Sequence, residues 1–193
     1  MPEPHYISQP SIVGLARGLM GGIDLDPCTS PHANALHQIP NAYGPGGVLA
    51  WARADDILPR VLSPHDGGLC ASLPWFGRMY VNPPGGRDVR RWWDRLLAEW
   101  IQGTVEQAVF MGFNIEHLRT GQHALEFPLC IPAKRLEFIN PHTLTIDKQA
   151  RHANAVIWLP PAPQDDRSCW IPELSYHWVS FFRSHMKGLG PCR

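Results

Sequence analysis

Asn82, Pro83 and Pro84 stand together where a short apolar segment ends, and they carry the groups best suited to chemistry. The alternating residues 79–81 predict a strand, which two prolines cannot continue because proline lacks an N–H donor and its φ is fixed at about −65°. Pro84 also keeps Pro83 extended, so the Asn82 side-chain oxygen and the Pro83 carbonyl are held at the strand tip. Two fixed acceptors can bind both N–H donors of an exocyclic amino group. Asn and Pro are also common at the start of an ordinary loop, so this interpretation depends on the surrounding residues.

Two aspartates belong to a second short strand that ends in a proline turn. Asp24 and Asp26 lie in the segment 23–27, which closes with Pro27. Ligands of open α/β sheets bind beyond the carboxyl ends of the strands, so the two strand tips share one crevice if the strands are parallel neighbours. A carboxylate there is a usual partner for a ribose hydroxyl or a cationic group. Either aspartate could instead cap the next turn, and the choice between them stays open.

The elements that must position these groups follow from the periodicity of apolar residues. Helices are predicted over residues 10–20, 32–38, 88–101, 115–125 and 175–186, and strands over 23–27, 79–81, 108–113, 135–139 and 155–159. Ser11 is the expected cap of the first helix, and Gly21 its end. Strands alternate with helices in the first two thirds of the chain, which predicts an α/β fold with a mostly parallel sheet and helices on both faces. Residues 40–74 lack periodicity and are interpreted as an irregular insert or a target-contacting segment.

Length, charge and cysteine usage narrow the class of protein. The chain has 193 residues, and we expect one domain over residues 1–193. Lys plus Arg and Asp plus Glu both number 17, so overall charge gives no argument for nucleic-acid binding. Five widely spaced cysteines and ten scattered histidines predict neither a disulfide framework nor a metal site. Without an apolar stretch of membrane-spanning length or a signal-peptide pattern, we expect no membrane association and a cytoplasmic location.

Four segments appear in an order typical of one family. They are His5-Tyr6-Ile7-Ser8-Gln9-Pro10, then Asp24-Leu25-Asp26-Pro27-Cys28 continuing to Ala33-Asn34, then Asp66-Gly67 with Trp75 and Gly77-Arg78-Met79-Tyr80-Val81-Asn82-Pro83-Pro84, and finally Arg135-Leu136-Glu137-Phe138 with Ala153-Asn154. This series resembles the phage- and prophage-type DNA N6-adenine methyltransferases, often called phage Dam-like enzymes. The match extends over about 150 residues in the family's order, and this collinearity makes it specific.

The resemblance implies a class I S-adenosylmethionine-dependent methyltransferase-like (Rossmann-like) fold and methylation of the adenine N6 amino group in DNA. It implies a flipped target base, no metal, and a phage-encoded enzyme in the bacterial cytoplasm. The sequence leaves the oligomeric state open between monomer and homodimer. The catalytic residues would be Asn82, Pro83, Pro84 and Gly85. The residues that would bind the cofactor S-adenosylmethionine are Tyr6, Asp24, Asp26, Pro27, Cys28 and Asn34.

Two features depart from the family pattern. The family has an aromatic residue after Pro-Pro, which stacks on the flipped base, whereas this chain has Gly85-Gly86. The consequence is a weak enzyme, a changed substrate or a replacement ring, for which Trp92, Trp51 and Tyr43 are the candidates. Alternatively, Gly85 makes room for a bulkier transferred group, a larger base or an incoming side chain such as Trp92. The sequence favours this second interpretation, in which a tyrosine at position 85 would clash and lower the activity. The chain also lacks the Phe-x-Gly-x-Gly loop that usually cradles the cofactor, so residues 24–34 are expected to hold it.

Arginines and tryptophans alternate just after the glycines, and they are the predicted DNA contacts. Arg87 comes just before the helix predicted over 88–101, Arg90, Arg91 and Trp92 lie in its first turns, and Arg135 lies further along the chain. Clustered arginines can neutralise phosphates even on a neutral protein. The same pattern also fits a solvated helix whose tryptophans belong to the core.

Two other functions remain open: modification of a base amino group with another donor or acceptor, and a catalytically silent relative that binds DNA or protein.

Overall fold

The protein is represented by a computed structural model, which describes residues 6–44, 47–48, 67–69, 72–85, 89–112, 123–147, 154–161 and 182–183. Within these residues the α-helices are α1 (Pro10–Met20), α2 (Pro31–His37) and α3 (Val89–Gln102). The strands are β1 (Ile7–Ser8), β2 (Leu25–Asp26), β3 (Asn41–Gly44), β4 (Gly47–Val48), β5 (Gly77–Val81), β6 (Val105–Gly112), β7 (Leu129–Cys130), β8 (Phe138–Ile139), β9 (Ile146–Asp147) and β10 (Ala155–Leu159).

A seven-stranded sheet in the order β4-β3-β2-β5-β6-β10-β7 carries most of these strands. Its neighbouring strands β3, β2, β5 and β6 are mutually parallel. β10 is antiparallel to both β6 and β7, and β4 is antiparallel to β3. Five of the seven strands therefore run in one direction, and the predicted α/β fold with a mostly parallel sheet is confirmed.

Helices cover both faces of this sheet, as the sequence predicts. Side chains of a strand alternate between faces, and in β5 Met79 and Val81 pack in the same cluster as α3, whereas Tyr80 packs in the cluster of α1. On the α3 side, Trp93 lies edge-on to Phe110 with 5.2 Å between ring centroids. Such an aromatic pair adds about 0.5–1.5 kcal/mol to the stabilisation from burial.

The two long helices occupy the predicted segments with small differences at their ends. The end of α1 is set by Gly21, whose φ of 70° places it in the left-handed region that glycine favours. The cap position of α1 is Gln9, so the expectation of Ser11 is wrong: Pro10 begins the helix because its missing N–H needs no partner there. Ile101, in the last turn of α3, is 41% exposed.

The short strands differ most from the sequence prediction. β1, β8 and β9 form a separate three-stranded antiparallel sheet, so β8 and β10, the two late strands, lie in different sheets. Within 40–74, which shows no periodicity, the described residues include β3, β4 and a 3-10 turn at Gly67–Leu69. Residues 123–126 form a turn, and the rest of the helix predicted over 115–125 and most of 175–186 lie outside the described residues. None of the helices in the described ranges has the length and apolarity needed to cross a membrane.

Candidate functional site

The order of the central strands changes direction between β2 and β5. From β2 the chain continues through α2 to β3 on one side, whereas β5 lies on the other side and is followed by α3 and β6. In open α/β sheets such a reversal leaves a crevice at the carboxyl ends of the two strands, where ligands bind. β2 and β5 are parallel neighbours with Leu25 opposite Met79, so the condition under which their tips share one crevice is met.

A small pocket lies at this reversal. Its free volume is about 10 Å³, close to what one water molecule requires. Tyr6, Asp26, Cys28 and Asn82 of the predicted site line it. The structure adds residues that the sequence interpretation did not select, namely Ser8, Thr29, His37 and Tyr80. The pocket therefore brings together one part of the predicted cofactor site and the predicted catalytic asparagine.

The orientation of the Asn82 side chain is fixed by the amino-terminal segment. Asn82 is buried, and its Nδ2 donates a hydrogen bond of 3.0 Å to the carbonyl oxygen of Tyr6. Because a carbonyl only accepts, the amide nitrogen must face Tyr6, and the amide oxygen is directed away from it. Pro83 is buried, Pro84 is half-buried and Gly85 is exposed. The segment from Pro83 to Gly85 therefore runs from the pocket to the protein surface.

Two further hydrogen bonds hold β1 against the pocket. The Tyr80 hydroxyl donates to Ser8 Oγ over 2.7 Å, and His37 Nε2 lies 2.9 Å from the Ser8 carbonyl oxygen. Both contacts are buried, and burial raises the pKa of Tyr80, so its hydroxyl stays protonated and can donate. β1 forms one wall of the pocket and is tied to β5 and α2 through side chains.

Asp26 is a buried carboxyl group inside the pocket. Burial raises its pKa to about 7, although the Cys28 N–H, 3.1 Å from Oδ1, and the nearby Thr29 hydroxyl favour the charged form. Among the described residues no Lys, Arg or His forms an ion pair with it. A positively charged ligand group would supply the missing counter-charge.

Asp24 is placed quite differently, which separates the two aspartates that the sequence left as alternatives. Its carboxylate pairs with Arg78 through bonds of 2.8 Å from Nε and Nη2, and it also accepts the Arg78 N–H. These bonds lower the pKa of Asp24. Asp24 precedes β2, Arg78 lies in the first half of β5, and Asp24 is absent from the pocket lining. Its role in the described structure is to hold two strands together.

Two other predicted cofactor residues support the pocket without lining it in the described structure. Asn34 is buried on α2. Pro27 lies in the turn after β2, and a Cβ on Gly68 would come within 1.7 Å of its carbonyl oxygen. Only glycine allows the 3-10 turn to approach so closely, so Gly68 fixes the turn that carries Asp26 and Cys28.

The predicted DNA contacts divide into surface and core residues. Arg90, Arg91 and Arg135 are exposed, and Arg90 lies 3.4 Å from Asp94 one helical turn away. The prediction for Trp92 is wrong, because Trp92 is buried on the sheet-facing side of α3 and stacks on Trp75 with ring centroids 5.9 Å apart. Arg87 lies outside the described residues.

The replacement rings proposed for the missing aromatic can be assessed in the same way. The burial of Trp92 removes it as a surface on which a base could stack. Tyr43 is also buried, and its hydroxyl donates to the Pro74 carbonyl oxygen over 2.8 Å. Trp51 lies outside the described residues. Within the described residues, neither Trp92 nor Tyr43 can therefore replace the missing aromatic ring.

His37 is one of the pocket residues that sequence reasoning missed, together with Ser8, Thr29 and Tyr80. A single histidine on a short helix gives little signal on its own, and the contact with Ser8 joins residues 29 positions apart. Asn154 is buried just before β10, at the sheet edge where β6 ends, since Ala155 lies opposite Gly112.

Comparisons of the chain with protein-family models, with curated proteins and with solved structures find no match.

Proposed function

We propose that the protein is a DNA adenine-N6 methyltransferase of the phage Dam-like kind, with S-adenosylmethionine as cofactor and a class I methyltransferase fold. In this proposal it is phage-encoded, acts in the bacterial cytoplasm as a monomer or a homodimer, and has DNA as its partner. The observation that carries the proposal is the position of Asn82. Its amide is oriented by Tyr6, at the point where the strand order reverses, beside a pocket that contains Asp26.

The chemistry of the pocket suits the proposed cofactor. S-adenosylmethionine carries a sulfonium, an ammonium group and ribose hydroxyls, and when bound it supplies an electrophilic methyl group. The pocket offers the Asp26 carboxyl, which has no ion pair among the described residues, and acceptor atoms of His37 and Thr29. The free volume of about 10 Å³ admits one polar group and not a whole cofactor. Asp26 would hold a positive or hydroxyl group, with Cys28 and Tyr6 completing the wall.

Asn82 and Pro83 account for the chemistry at the target amino group. The lone pair of adenine N6 is delocalised into the ring, which makes the nitrogen a poor nucleophile. The Asn82 amide oxygen and the Pro83 carbonyl would accept its two N–H donors and draw it toward a tetrahedral arrangement with a localised lone pair. Positioning of this kind accounts for much of the rate in reactions between two bound reactants. Adenine N6 lies inside the duplex stack, so the base must first be flipped out.

The exposed arginines fit the proposed partner. Arg90 and Arg91 lie at the start of α3, which follows the Asn82 turn in the chain, and they are exposed. Phosphate contacts from such residues would orient the duplex without reading its sequence. The protein has zero net charge, so its affinity for DNA is expected to depend on these local contacts.

Mass spectrometry of nucleosides tests the proposal directly. DNA from bacteria that express the wild-type chain should contain N6-methyladenine above the level in cells that express Asn82→Ala. A host strain that lacks its own adenine methylation removes the background. A heavier adenine adduct would indicate another donor, and a modified cytosine another base. No modification at all would favour a silent relative.

The exposed glycine after the prolines gives a further prediction. We expect Gly85→Tyr to fold normally and to raise methylation of DNA, the reverse of what the sequence alone favours, because a Cβ at this position meets no atom of the described residues within 4 Å. A tyrosine ring there would supply the stacking platform, and stacking of a base on an aromatic ring is worth about 1–3 kcal/mol. Steady-state kcat/KM on a DNA duplex measures the gain.

Gly85→Ala is the matched control for this change, since it adds the Cβ without the ring. It should leave kcat/KM within about twofold of the wild-type value, because exposed substitutions of this kind have small effects. A fall in kcat/KM for the tyrosine variant alone would mean that Gly85 makes room for a bulkier group.

A further inference from the structure

The protonation state of His37 follows from its one hydrogen bond to the backbone. His37 ends α2, is 5% exposed, and places Nε2 2.9 Å from the Ser8 carbonyl oxygen. A carbonyl oxygen can only accept, so the proton must reside on Nε2. Burial lowers the pKa of His37, and the positive charge of Arg17 lowers it further. The ring is therefore neutral at pH 7, and Nδ1 carries a lone pair.

The lone pair on Nδ1 is buried, and a buried acceptor is expected to have a hydrogen-bond donor. Nδ1 is buried, His37 lines the pocket, and no hydrogen-bond partner for this atom exists among the described residues. The Thr29 hydroxyl lines the same pocket beside Asp26, whose charged form it favours, and its oxygen can still accept a hydrogen bond. Buried polar atoms in folded proteins are nearly always hydrogen-bonded, to protein, water or ligand. With Asp26 as the third polar group, the pocket presents chiefly acceptors.

We propose that His37 is a ligand-binding residue, whose Nδ1 accepts a hydrogen bond from an amino or hydroxyl group of a molecule that inserts this one group into the pocket. The inference rests on the proposed function only in taking S-adenosylmethionine as that molecule. The donor is either the ammonium of its methionine part or a hydroxyl of its ribose. Both are N–H or O–H groups that an acceptor-lined pocket selects over a carboxylate or a phosphate.

Two substitutions separate binding from support of the fold. In His37→Gln the terminal amide reaches about as far as Nε2, so it can still donate to Ser8, but it offers no acceptor at the place of Nδ1. In His37→Asn the amide oxygen is attached to Cγ, as Nδ1 is, so an acceptor is kept and the contact with Ser8 is lost. We expect the glutamine variant to unfold within about 2 °C of the wild type and to bind S-adenosylmethionine about three- to tenfold more weakly in calorimetric titration.

The asparagine variant should show the opposite pattern. Its unfolding temperature should fall by more than that of the glutamine variant, while its affinity stays within about twofold of the wild-type value. A purely structural role for His37 predicts that affinity follows stability in both variants. Undiminished affinity in a folded His37→Gln protein would overturn the inference.

Nitrogen NMR of the histidine side chains gives a readout that does not depend on activity. The wild-type Nδ1 resonance should move on addition of S-adenosylmethionine, and separate titrations with adenosine and with methionine assign the donor to the ribose or to the ammonium. If S-adenosylmethionine fails to bind but adenosine or methionine moves Nδ1, the proposed function fails and the inference stands. A bound probe that leaves Nδ1 unmoved, or no binding of any probe, overturns it.

Discussion

Replacing Asn82 by alanine is expected to reduce methyl transfer to DNA by about 10²-fold or more, while the affinity for S-adenosylmethionine changes by only a few fold. The loss is of the size seen when one preorganised hydrogen-bonding group is removed from an active site. Affinity should persist because Asp26 and the turn after β2 form the other side of the pocket. Labelled methyl transfer to a DNA duplex and calorimetric titration measure the two effects separately.

Asn41→Ala is a suitable control for this experiment. Asn41 is exposed, and its side chain donates one hydrogen bond to the Asp24 carbonyl oxygen, outside the pocket. This variant should lose little activity, so a loss confined to Asn82→Ala points to the site. Methyl transfer by a folded Asn82→Ala protein at a rate near that of the wild type would remove Asn82 from the mechanism.

The second large effect concerns Asp26 and the pH dependence of stability. Its pKa is about 7 in the folded protein and near 3.8 when exposed. The folded state therefore binds the proton more tightly, and the stabilisation that this provides is complete below about pH 4 and is lost as the pH rises to about 7. We expect the loss to reach on the order of 4 kcal/mol at most.

Asp26→Asn should remove this dependence, because asparagine does not titrate. The variant should exceed the wild type in free energy of unfolding above pH 7, and the difference should shrink toward pH 5. Urea unfolding of both proteins at several pH values measures it, and taking the difference cancels the histidines that titrate in the same range. The same variant should bind S-adenosylmethionine at least tenfold more weakly, since it lacks the negative charge. A gain in stability with a loss of affinity is the pattern expected of a functional residue.

Asp24→Asn provides a contrast of opposite sign. The bond with Arg78 lowers the pKa of Asp24, so its stabilising contribution is present above its unfolded pKa and is lost only as the solution becomes more acidic. Between pH 5 and pH 8 this variant should be less stable than the wild type by a nearly constant amount.

For Asp26→Asn, in contrast, a pH-independent difference in stability from the wild type would contradict the expected titration of Asp26.

Much of the architecture is readable from the sequence because it depends on local patterns. The apolar positions of α1 and α3 repeat with helical spacing, and those two helices lie where that spacing predicts. The strands around Met79 and Val109 are long enough to show a run of buried residues. β1 and β9 have two residues each, too few for any period to appear, and β8 has only two residues of the strand predicted over 135–139.

The site was only partly predictable because the role of each of its residues depends on contacts with residues far away in the sequence. Asp24 and Asp26 stand two positions apart in similar surroundings, and what separates them is Arg78, 54 residues beyond Asp24. Trp92 fits a DNA-facing helix as well as a core helix until the sheet that covers it is known. His37 becomes notable only once Ser8 fixes its tautomer.

The wall that β1 supplies also has a consequence for the order of events in folding. The three hydrogen bonds that join β1 and the preceding Tyr6 to the pocket connect residues 29, 72 and 76 positions apart in the chain. Closing such long loops is entropically costly and slow compared with forming a helix. During synthesis, residues 6–8 emerge well before Asn82, so the pocket can be completed only after more than 70 further residues have been added. Until then the carboxyl ends of β2 and β5 lack one wall, and a ligand that needs the finished pocket binds only late in folding.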